Sequence, residues 1–94
     1  MPTRPPPAVI IRLEGTFDLP AARLLENSLK RMRRGDRVRV DFRGVRTFHD
    51  YGIAVLAQAL KRRDASLVRI EGLHLHHVRL LRYFGVGPEF FRRE

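Results

Sequence analysis

The feature that most restricts this chain is an alternation of two hydrophobic periods. Val9, Ile11 and Leu13 recur at every second residue, the period of a strand with one buried face. After Gly15, Asp18 stands just ahead of Pro20, a helix-start signature, and Ala22, Leu25, Leu29 and Met32 follow at helical spacing. Gly35 suits a left-handed cap closing that helix. From Arg37 to Phe42 the period returns to two, with Arg37, Arg39 and Asp41 set against Val38, Val40 and Phe42. A loop over 43–47 leads to a second helix whose inner stripe is Ile53, Leu56, Ala57 and Leu60, with Lys61, Arg62 and Arg63 at the end where the helix dipole favours cations. A strand over Leu67–Ile70 and a helix over His76–Phe84 complete the series, and Phe90 and Phe91 are expected to fold back as a tail. The order β-α-β-α-β-α predicts an α/β fold: a small, mostly parallel sheet with alternating helices and right-handed crossovers.

Ninety-four residues hold one hydrophobic core, so residues 8–94 are read as a single domain. Residues 1–7, carrying Pro2, Pro5, Pro6 and Pro7, lack the N–H donors of a sheet strand and are read as an extended arm. An absence of cysteine excludes a disulfide framework and thiolate chemistry. No stretch approaches the roughly 20 apolar residues of a membrane span, and the N-terminus lacks the apolar run of a secretory signal, so a cytoplasmic location is expected.

Charge is the least ordinary property. Lys and Arg total 19 against 10 acidic residues, a net charge of +9, and only Lys30 and Lys61 are lysines. The densest basic cluster comprises Arg31, Arg33, Arg34, Arg37 and Arg39 beside Lys30. Such a cluster fits an acidic partner, nucleic acid included, but it lacks the interleaved aromatics that stack bases. The simpler reading is arginine spread over solvated faces.

Chemistry in such folds concentrates where a parallel strand runs into the next helix. Here that junction is Thr47-Phe48-His49-Asp50-Tyr51-Gly52, which sets an imidazole, a carboxylate and a phenol side by side. No second carboxylate or nucleophile stands beside them in sequence, so an acid–base site is the weaker reading and a helix cap formed by Asp50 the stronger. His74, His76 and His77 are close together, yet their spacing matches no standard metal motif and no cysteine accompanies them. Phosphate-binding glycine loops and a nucleophile elbow are absent. No cofactor is implied and no enzyme is expected. Tyr51 and Tyr83 are each explained as aromatics at the rim of the core.

Three stretches together resemble a STAS domain, the module shared by sulfate transporters and bacterial anti-sigma-factor antagonists. They are Leu13-Glu14-Gly15-Thr16-Phe17-Asp18 with Ala21-Ala22-Arg23-Leu24; Val40-Asp41-Phe42-Arg43-Gly44-Val45 with Phe48 and Gly52-Ile53; and Ile70-Glu71-Gly72 with Val78-Arg79-Leu80-Leu81 and Phe84-Gly85-Val86. The resemblance implies a bacterial, non-enzymatic regulatory module whose partner is an anti-sigma-factor or kinase-like protein, or another STAS-type protein. Members that act in phosphorylation switches carry Asp-Ser-Ser/Thr-Gly at the start of the second helix. Aligned on Gly52, this chain reads His49-Asp50-Tyr51-Gly52, so Asp50 occupies the position usually phosphorylated and a serine switch is not available there. Asp50 is then either a permanent partial mimic of the phosphorylated state or a cap. The expected partner surface is Arg46, Thr47, His49, Asp50, Tyr51 and Gly52, with Tyr51 as anchor and Gly52 allowing close approach of a partner backbone. Such domains usually begin with one more strand, for which the proline arm leaves no room, and an uncovered strand edge points to self-association. A nucleic-acid-binding protein and an oligomeric scaffold are the alternatives from other classes.

Overall fold

The computed structural model describes residues 9–33 and 35–91; the proline arm and Arg34 lie outside them. Three parallel strands stand in the order β1 (Val9–Phe17), β2 (Val38–Phe48) and β3 (Val68–Glu71). Between and after them run α1 (Leu19–Arg31), α2 (Asp50–Lys61) and α3 (Leu75–Tyr83), followed by a 3-10 turn at Pro88–Phe91. Sequential strand order with right-handed crossovers sets α1 and α2 on the same face of the sheet. The core lies beneath them, with Val38, Val40, Phe42, Val68 and Ile70 of the sheet packed against Ala22, Leu25, Leu29, Ile53, Leu56 and Leu60 of the helices. Phe90 folds back and is buried at 5% exposure, as the sequence led one to expect.

Strands β1 and β2 both run further than their alternation suggests. β1 continues through Gly15, whose φ of +75° would strain a side chain, to a buried Phe17. β2 extends through the segment expected to be a loop. Arg12 pairs with Asp41 but Glu14 with Gly44, and Gly15 pairs with Val45 but Thr16 with Thr47, so β2 carries an extra residue at each shift. Such bulges break the period of two, which is why Arg43–Thr47 shows no strand pattern although it is paired.

Helix α1 begins where Asp18 accepts a bond from the Ala21 N–H at 3.0 Å, and Pro20 lies in its first turn. It ends at a Met32 cap, not at Gly35. Gly35, with φ of +93°, serves instead the turn in which the Asp36 N–H donates to Arg33 O at 3.0 Å and the Asp36 carboxylate accepts from the Arg33 N–H.

The outer face of the sheet is charged. Asp41, expected among the exposed residues of β2, is only 7% exposed because Arg43 folds over it. Its carboxylate accepts from the Arg43 backbone N–H at 2.9 Å, from Nε at 3.0 Å and from Nη2 at 2.9 Å. These bonds favour the ionised form and hold the Asp41 pKa down at about 2. On the same face Arg39 pairs with Glu71 at 3.5 Å.

Candidate functional site

The junction of β2 and α2 is fixed from three directions. The His49 N–H donates to the Phe17 carbonyl at 2.9 Å, tying the exit of β2 to the end of β1. Phe17, Phe42 and Phe48 pack as an aromatic group, with Phe17 edge-on to Phe42 at 5.1 Å and Phe48 at 6.0 Å from Phe42. His77 of α3 then stacks on Phe48 at 4.1 Å. Chain direction, core and third helix thus meet beneath one helix start.

Gly52 is the close-packing point of this junction. A Cβ built there would lie 3.0 Å from both the Phe17 and the Asp18 carbonyl oxygens. Gly52 is buried, so the expectation that it admits a partner's backbone is corrected: the backbone it admits is the chain's own. Its neighbours face solvent. Arg46, Thr47, His49 and Asp50 are exposed, and Tyr51 is 78% exposed. Tyr51 is therefore not a core-rim residue, and neither is Tyr83 at 83%. The helical turn from Gly52 to Ile53 points into the core, and Tyr51, one residue earlier, projects away from the Ile53–Leu56–Leu60 stripe.

The cap expected of Asp50 is not formed. His49 occupies the N-cap position without a side-chain bond to the helix, and Asp50 is the first helical residue. Its carboxylate stands in the first turn, where the positive end of the helix dipole favours a negative charge.

Sequence reading missed the link between the histidines and this junction. His77 is half-buried against Phe48, with His76 and His74 rings at 5.2 and 5.8 Å. Burial lowers its pKa, His76 and His74 add to the effect, and Asp50 opposes it. Its Nδ1 is buried without a hydrogen-bond partner. Among the described residues, no group of three or more metal-ligating side chains is placed to hold an ion. Only tertiary packing brings α3 over Phe48, and no spacing in the sequence announces it.

The basic cluster sits elsewhere. Arg31 ends α1, Arg33 follows it, Arg37 directly precedes β2 and Arg39 is the second residue of β2, so the cluster is at the opposite end of the sheet from Tyr51. All four are exposed, and Arg34 lies outside the described residues. Among the described residues no helix is long and apolar enough to cross a membrane.

Comparison with known proteins agrees with this architecture. The STAS domain of a SulP transporter from Vibrio cholerae, a solved structure, matches with a TM-score of 0.62 at 22% identity, over 95% of this chain and 75% of that one. At that identity the likeness speaks for the fold. No curated protein sequence matches the chain. A family profile described as "Mlab, STAS domain" matches residues 2–89, nearly the whole length. With parallel strands, crossover helices and a glycine-locked second helix already in place, that match identifies the chain as a member of the STAS domain family.

Proposed function

We propose that this STAS domain is a non-enzymatic regulatory module that binds another protein through the first turn of α2, using Arg46, Thr47, His49, Asp50 and Tyr51. The observation that carries the reading is the exposure of Tyr51, 78%, on a turn whose next residue is locked against backbone carbonyls. A phenol held out by a rigid helix start loses little freedom on binding, and such aromatics are frequent anchors of interfaces. Exposed polar neighbours supply the rim. The partner class we favour is an anti-sigma-factor or kinase-like regulator, or a second STAS-type protein, and the net charge of +9 would speed encounter with an acidic one.

Asp50 gives this surface a fixed negative charge at the position where phosphorylated relatives carry a hydroxyl. A phosphoserine there would bear about −1.5 to −2 and three acceptor oxygens, so a carboxylate reproduces part of it permanently. The module is accordingly not gated by a serine kinase at this position. Capture from native lysate at physiological salt tests the reading, with Tyr51→Ala and Asp50→Ser variants and a nuclease-treated sample alongside. A protein captured by wild type and lost in Tyr51→Ala supports it. Recovery of nucleic acid alone, equal for all three chains, would transfer the function to the arginine cluster.

A further inference from the structure

Among the described residues β1 is an edge strand, with no strand paired to its side away from β2. Two bonds fix which backbone groups face outward. The Val9 N–H donates to Arg37 O at 2.8 Å, and the His49 N–H donates to Phe17 O at 2.9 Å. Both ends of β1 therefore bond to β2 through odd-numbered residues, and β2 carries the extra residues at the two register shifts. Ile10, Arg12, Glu14 and Thr16 turn their N–H and C=O groups away from the sheet, and all four side chains are exposed.

We infer that β1 pairs antiparallel with β1 of a second copy, in the register that sets Arg12 of each chain opposite Glu14 of the other. Leu13 then lies on the twofold axis, and Ile10 faces Thr16 of the second copy. Every residue in these Arg12–Glu14 and Ile10–Thr16 pairs has an outward-facing backbone, so the pairs are the hydrogen-bonded ones of an antiparallel ladder. Sliding one strand by two residues sets Arg12 against Arg12 in one direction and Glu14 against Glu14 in the other, and like charges directly opposite are unfavourable. Sliding by one residue would oppose outward- and inward-facing backbone and form no ladder. The edge is thus self-complementary in one register and repelled in its neighbours. Of the seven exposed large hydrophobic residues among the described ones, Val9 and Ile10 lie on β1 and Leu19 and Leu24 on α1, the helix that follows it. The resulting assembly is a continuous six-stranded sheet, with an isologous interface of the kind that closes at two copies.

Sedimentation velocity of the full chain, over a dilution series reaching about 200 µM, tests this directly. Wild type is expected to shift from monomer to dimer across the series. Arg12→Glu and Glu14→Arg each place like charges at both symmetry-related pairs and should weaken dimerisation about tenfold or more. Combining them reverses both pairs and should restore the wild-type dissociation constant to within about threefold. Wild type remaining a monomer throughout overturns the proposal. A dimer indifferent to the single substitutions, or a double variant that is not rescued, overturns the register. Circular dichroism confirms that each variant folds, and the wild-type series decides the question alone if one does not.

Discussion

Replacing Asp41 by Asn removes a charge that the fold holds beneath one arginine. In the native chain three donors of Arg43 converge on the carboxylate within 3.0 Å, and the Asp41 pKa falls from 3.8 to about 2. Taken whole, that drop corresponds to roughly 2 kcal/mol of stability, at about 1.4 kcal/mol for each tenfold change in proton affinity. The Arg43 side chain is 72% exposed, so water competes for the pair and roughly half is retained, about 1 kcal/mol. Because the folded pKa lies below the unfolded one, this stability is present above 3.8 and is lost as pH falls through about 2. Asp41→Asn should therefore cost about 1 kcal/mol at neutral pH, or about 4–8 °C in Tm, and the gap should narrow to roughly half near pH 3. Urea titration of both chains at several pH values measures it. A gap that stays constant down to pH 3 would refute the linkage argument, and one near zero at pH 7 would show that the Arg43 bonds contribute no net stability.

Two further substitutions probe the supports of the sheet end. Gly72 has φ of +84°, and a Cβ there would lie 2.7 Å from the Arg43 backbone nitrogen, so Gly72→Ala should destabilise by about 2–4 kcal/mol in thermal or urea unfolding. The fold lowers the pKa of His77, because burial disfavours its charged form ahead of repulsion from His76 and His74, with Asp50 opposing. As pH falls through the ordinary histidine range the unfolded chain takes up that proton first, and wild type should lose stability. His77→Phe keeps a ring against Phe48 and removes the unpartnered Nδ1, so its advantage over wild type should be larger at about pH 5 than at about pH 8.

Element order and core were legible because each strand and helix carries its own period. Val38, Val40 and Phe42 announced the central strand, and Ile53, Leu56 and Leu60 announced α2, with all six buried as expected. What was not legible depends on contacts between distant parts. The bulges that extend β2 to Phe48 are set by pairing with β1, not by local pattern. Gly52 reads in sequence as an open approach, and only the neighbouring carbonyls of Phe17 and Asp18 reveal that it is filled by the chain itself. Asp41 falls on the polar side of an alternating strand, and its burial follows from the fold of Arg43 two residues later. At the candidate site Arg46, Thr47, His49 and Asp50 are exposed as expected, whereas Tyr51 is no core-rim aromatic and Gly52 is buried; α3 brings His77 against Phe48 through packing that no motif encodes.

The central claim is that Tyr51 anchors a protein partner without serving the fold. Its side chain is 78% exposed, so Tyr51→Ala should leave stability within about 0.5 kcal/mol of wild type. Quantitative capture of the native partner from nuclease-treated lysate, by wild type and by Tyr51→Ala at matched stability, is the most direct test. The account predicts that a protein retained by wild type is reduced at least about tenfold by the substitution, as befits the loss of an aromatic anchor. Equal capture by two equally stable chains would contradict it and remove the start of α2 from the binding surface.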